Sequence, residues 1–112
     1  MAIAELYSGS QTATINTEHT LNSPTPNTTD GVFQIFVDCN AMVAGDVLEL
    51  RVKEKCRSTD AIRQVLMSTL AGVQSDPLWV SPSLILMHGW DVTLKQTAGT
   101  GRAFPWSIRQ VA

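Results

Sequence analysis

Charged side chains are scarce in this chain. Asp, Glu, Lys and Arg make up 16% of its 112 residues, against about 25% in ordinary soluble domains. So little charge fits a surface that something else partly covers, as in a subunit of an assembly. The net charge is −2 at pH 7, with the basic residues spread thinly. The densest basic stretch, "LRVKEKCR" (50–57), alternates with glutamate and apolar residues like the wet side of a strand. Nucleic-acid binding, which needs a basic patch, is not expected.

Long apolar runs are lacking as well. The longest, "LILM" (84–87), is far short of the roughly 20 residues of a membrane-spanning helix. The start, "MAIAELYSGSQ", has neither the basic region nor the apolar core of a signal peptide. No membrane partner is expected. "NTT" (27–29) matches a glycosylation sequon, but without an export signal it reads as a turn.

Cysteine is nearly absent. Cys39 and Cys56 are too few for a zinc site and form no CxxC pair. They read either as reduced thiols or as partners in a disulfide within or between subunits.

The catalytic vocabulary is equally thin. His19 sits in a threonine-rich stretch and His88 precedes Gly89. No GxSxG elbow accompanies them, and His88 with Asp91 is too generic a pair to mark a triad. Asp30, Asp38, Asp46, Asp60, Asp76 and Asp91 fall mostly at strand ends, where turns use them. The chain therefore reads as a non-enzyme with no cofactor and no small-molecule substrate.

Strand patterns are abundant. "VFQIFVDCN" (32–40) puts Phe33, Ile35, Val37 and Cys39 on one face and Gln34, Phe36 and Asp38 on the other. "VLELRVKEKC" (47–56) alternates cleanly, with Leu48, Leu50 and Val52 inward, as in an antiparallel strand with one wet face. With "AMVAGD" between them as a turn, the two runs predict a long hairpin. In that hairpin Cys39 and Cys56 lie roughly 20 Å or more apart, too far to bond within one chain. A bond between subunits stays open.

Elsewhere, "QTATINTEHTL" (11–21) predicts a strand with Ala13, Ile15, Thr17, His19 and Leu21 on one face, and "NSPTPNTTDG" (22–31) a loop. "STDAIRQVLMSTLAG" (58–72) fits a helical face through Ile62, Val65, Leu66 and Leu70, or a strand over 63–70; its strand neighbours favour the strand. "VQSDPLWVSPS" (73–83) reads as a connection, and 84–97 as a strand broken or bulged at Gly89.

"TLKQTAGTGRAFPWSI" (93–108) raises the sharpest question. Its glycines and arginine mimic a phosphate loop, but the spacing of GxxxxGK[ST] is missing and a strand follows. It reads as a hairpin loop. Pro105 places the last run on a sheet edge or at a bulge, with Phe104, Trp106 and Ile108 in the core. Trp79 and Trp90, in or beside loops, are candidate exposed contacts for protein or glycan.

These elements predict an all-β, single-domain antiparallel β-sandwich or jelly-roll-like barrel of about six to eight strands. The domain spans 11–112, preceded by an arm, 1–10, whose Ile3, Leu6 and Tyr7 could add a strand to a neighbour's sheet edge.

"TDGVFQIFVD" (29–38), "GDVLELRVKEK" (45–55) and "PSLILMHGWDVTLKQTAGTGRAFPWSI" (82–108) resemble a group of small proteins encoded in tailed-bacteriophage genomes. The likeness covers most of the chain from about residue 29. It implies a virion structural protein, at this size a capsid decoration (cement) protein on the capsid surface. Its partner would be the major capsid protein, it would be a homo-oligomer, and it would assemble in the host cytoplasm. A tail, neck or connector component and a carbohydrate- or receptor-binding module are the alternatives. The group supplies no catalytic motif, so no catalytic residue is carried over.

Overall fold

The computed structural model describes residues 2–22 and 27–111; the centre of the proline-containing loop, 23–26, lies outside the described residues. The strands are β1 (Ile3–Thr12), β2 (Glu18–Thr20), β3 (Gly31–Asp38), β4 (Val47–Glu54), β5 (Arg63–Ala71), β6 (Leu78–Val80), β7 (Leu84–Leu86), β8 (Asp91–Ala98) and β9 (Ala103–Val111). They form two antiparallel sheets. Sheet I runs β1-β9-β3-β6, with β7 also pairing β3, and sheet II runs β2-β8-β4-β5. The result is an all-β sandwich.

The alternation read from the sequence selects the inner faces. Phe33, Ile35 and Val37 of β3 and Phe104 and Ile108 of β9 face Leu48, Leu50 and Val52 of β4 and Val92 and Leu94 of β8 across the core, all at most 2% exposed. Each such side chain contributes about 1.5–3 kcal/mol by leaving water.

The expected hairpins are corrected. β3 and β4 do not pair: β3 pairs β9, β6 and β7, whereas β4 pairs β5 and β8. The turn between them carries the chain from one sheet to the other, so inward residues of both strands meet across the core instead of side by side. Likewise β8 belongs to sheet II and β9 to sheet I, making "TAGTG" a corner between sheets. Two-fold alternation is blind to this choice, because a strand needs only one dry face whichever neighbour it pairs with.

β9 is also no outer edge; it lies between β1 and β3. Its pairing with β3 ends at Val37↔Trp106, while Pro105 still faces Ser10 of β1. The proline thus sits one residue past the β3 ladder, where a missing N–H costs nothing on that side. In the 11–21 stretch, the run breaks at Asn16, whose φ is +64°, leaving only Glu18–Thr20 as β2. Within 58–72, Arg63–Ala71 form a strand, β5, and not a helix. Gly89, at φ +78°, separates β7 from β8 as the chain changes sheet.

Where the sequence predicts an arm, Ile3–Thr12 form β1 and pair with β9 of the same chain from Ile3↔Val111 to Thr12↔Ala103, with a register shift between Glu5 and Tyr7. Gly9 lets the Trp106 ring come close here. A Cβ at that position would come within 3.3 Å of the Trp106 ring, which packs across the strand there.

Candidate interaction surface

The polar residues with the strongest geometry turn out to build corners. Buried Gln96 donates to the carbonyls of Ala98 and Thr100 (3.0 and 2.8 Å) and accepts the Arg102 backbone N–H (3.1 Å). Asp46 accepts the Val43 N–H (3.0 Å) and pairs with the Arg102 guanidinium (2.9 Å). The Arg102 hydrogen bond, then that from Val43, holds its carboxyl below the usual carboxylate range. A Cβ at Gly99 would collide with this carboxylate, and one at Gly101 with the Ala13 carbonyl oxygen. The glycines of "TAGTG" therefore serve close packing, and the carboxylate occupies the place an anion would need.

The other titratable candidates are structural too. His19 Nε2 accepts the Thr14 N–H (3.2 Å). The backbone N–H groups of Met87 and His88 donate to the Glu54 carboxylate (2.6 and 3.1 Å). Asn27, the sequon asparagine, is buried; it accepts the Thr29 N–H (3.0 Å) in an Asx turn and donates to the Tyr7 hydroxyl.

Of the five residues proposed from sequence as contacts, three point inward. Trp90 is fully buried, against Phe33 (ring centroids 4.6 Å apart) and edge-on to Tyr7 (6.2 Å), and its Nε1–H donates to the Thr29 carbonyl (2.9 Å). It lies where the chain crosses between sheets, and the crossing puts its ring in the core. Trp79 stands opposite Val37 on the inner side of sheet I and is half-buried. Tyr7 is half-buried on the core. Only Ile3 and Leu6 stay on the surface, at 70% and 36% exposure.

The cysteines divide similarly. Both are unpaired. Cys39 is in the core, where burial, and after it the Asp38 charge, pushes the thiol up to about 12. It cannot reach another subunit while the domain is folded, which corrects that half of the disulfide expectation. Cys56 is exposed.

The surface that does stand out is the outer face of sheet I. Cross-strand pairing sets Ile3, Val111, Val32 and Ile85 in one row, and Ser107, Phe36 and Val80 in another, with Leu78 beyond. Ile85, Leu78 and Val80 are 79%, 53% and 41% exposed. Glu5 and Arg109 stand opposite each other between the rows, and the Arg109 guanidinium lies 3.7 Å above the Phe36 ring, a cation–π contact. Two open depressions mark this face, of about 380 Å³ around Phe36, Leu78, Pro105 and Arg109 and about 480 Å³ beside Ile85, Met87 and Val111.

The sequence held a signal for this face. "PLWV" and "SLILM" lack alternation, so whichever face of β6 and β7 goes inward, the other is still apolar. Phe36, placed on the nominally wet side of its strand, belongs to the same pattern. No protein-family model, curated protein or solved structure matches the chain.

Proposed function

We propose that the chain is a virion structural protein of a tailed bacteriophage, a capsid decoration protein that seats the outer face of sheet I on the major capsid protein. The observation that carries this reading is that face: Ile3 and Ile85 in one row and Leu78 and Val80 beside Phe36 in another are exposed, flanking the Glu5 and Arg109 pair. Contiguous exposed apolar surface on a soluble domain marks an interaction site. The resemblance to tailed-phage proteins supplies the partner, and the low charge of the whole chain agrees with a subunit that is partly covered. The protein acts by binding and not by catalysis: it stabilises the assembled shell by mass action. The carbohydrate-binding alternative loses support, because the Trp90 ring it needed as a stacking platform is buried.

Quantitative mass spectrometry of purified particles tests the reading. A copy number near one per major capsid subunit, or a simple fraction of it, supports decoration. A handful of copies per particle moves the protein to the tail or neck. Absence from particles ends the virion reading.

A further inference from the structure

Among the described residues, the two sheets leave four strand edges open, and three of them carry a device that discourages pairing. β2 has only three residues. β1 carries Glu5 and a register shift beside it. β6 and β7 are three residues each and interrupted by Pro82, with Ser81 mending the β3 ladder between them: its N–H donates to the Ile35 carbonyl (2.9 Å), and its hydroxyl oxygen accepts the Ile35 N–H (2.9 Å). Short strands, charges, bulges and prolines are the usual protections of an edge.

The fourth edge, β5, has such devices only at its start, where Arg63 stands and the register shifts at Val65; the rest of the strand is bare. Its partner on one side is β4, and no described strand pairs with the other. After a register shift at Val65, the run Leu66–Ala71 is regular and contains no charge, proline or glycine. Its side chains are also self-complementary. Turned about a two-fold axis through Ser68, the strand sets Leu66 opposite Leu70 on the core side, and Met67 opposite Thr69 on the outer side. Leu66 and Leu70 are half-buried at the rim of the core, so such pairing would cover them with their counterparts.

We propose that β5 is a homodimerisation edge. Two copies of this chain pair β5 to β5, antiparallel and centred on Ser68, and join their four-stranded sheets into one continuous sheet. The occupant is a second copy because the run, turned about Ser68, sets leucine against leucine at the core rim and brings no like charges together. This inference does not rest on the decoration reading, and it is tested on the purified full chain without particles.

The side chains at 67 and 69 are exposed, and on the same sheet they stand beside Arg51 and Glu49 of β4. In the double variant Met67→Lys, Thr69→Lys, introduced lysines face each other across the two-fold axis. Dimerisation measured by sedimentation across a dilution series should weaken by at least about tenfold. In Met67→Glu, Thr69→Lys, opposite charges meet instead, and dimerisation should stay near that of the unmodified chain. Circular dichroism checks that both variants fold. Independently, in a Cys56→Ser background, Ser68→Cys should oxidise to a linked dimer, because the introduced thiols lie opposite one another, whereas Ala71→Cys should not. A chain monomeric at every concentration overturns the proposal. So does equal behaviour of the two double variants, or failure of Ser68→Cys to cross-link.

Discussion

On sheet II, the outward side chains of β4 find partners within their own sheet. Glu49 accepts from Arg51 (2.8 Å), and Glu18 of β2 takes Lys53 (3.1 Å), Arg51 (3.6 Å) and the Thr93 hydroxyl (2.6 Å). On sheet I, the outward side chains are instead Phe36 and Val80 in one row and Val32 and Ile85 in the next, with Arg109 laid over Phe36. Both sheets bury an apolar inner face. The first outer face is content in water; the second keeps apolar area exposed, at about 25 cal/mol per Å² relative to covering it. A sandwich of this size needs only its two inner faces to fold. On the function proposed above, the apolar side chains of a third face serve contact with the capsid.

The two outer faces differ only while the sheets are locked together, and the largest effect should come from breaking that lock. Trp90→Ala should destabilise the domain by about 3–5 kcal/mol, seen as a fall in the denaturation midpoint, because the ring fills the crossing between sheets against Phe33. An ordinary surface cost would show that the ring is not the wedge described here.

Next in size is the contrast itself. Leu78→Asp, Val80→Asp and Ile85→Asp together should weaken particle binding at least about a hundredfold, roughly 2.7 kcal/mol, with little change in melting temperature. Glu49→Ala with Lys53→Ala on the other face should leave binding unchanged. Equal losses from the two sets would remove the assignment of sheet I as the docking face.

Asp46→Ala should cost about 2–3 kcal/mol, because it leaves Arg102 and the Val43 N–H without their acceptor. Asp46 has a folded pKa below its ordinary 3.8. Its contribution is therefore fully present above pH 3.8 and is lost as pH falls through the lower, folded value. Urea titrations of both proteins at neutral pH and near pH 2 should show their stability gap closing in acid.

The smallest effect belongs to the wet face. Glu18 is held below its ordinary 4.5, chiefly by the Thr93 hydrogen bond and then by Lys53 and Arg51. The same sign applies: this stability is present above pH 4.5 and disappears in stronger acid. Because the group is partly exposed and screened by salt, Glu18→Gln should cost less than about 1 kcal/mol, and less still at high ionic strength. A cost undiminished by salt would mean that the network is structural in the way the Asp46 corner is.

Strand positions were largely legible in the sequence. β3 and β4 follow from the alternation that a half-buried strand requires, whereas β5 is favoured over a helix only by its strand neighbours and β8 reads as the strand beyond the break at Gly89. Two false hairpins came from the same source, since neighbours in sequence usually pair and alternation cannot say when a chain crosses the core instead. The corner residues were invisible for another reason. Nothing local announces that Gln96 will serve Arg102, or that Asp46 must fit against Gly99. The tryptophans misled because a loop position says nothing about which way a large ring turns once the loop crosses between layers.

By itself, the sequence determined the all-β class, the inner rows of β3 and β4, the break at Gly89 and the thinness of catalytic chemistry. These depend on residue type and on a two-residue period, both local properties. Only the tertiary structure decided which sheet each strand joins, that Trp90 lies in the core, and that Phe36, Leu78, Val80 and Ile85 share one outer face. Those outcomes depend on pairing between residues far apart in the chain, and the energy that selects a partner is spread over whole strands.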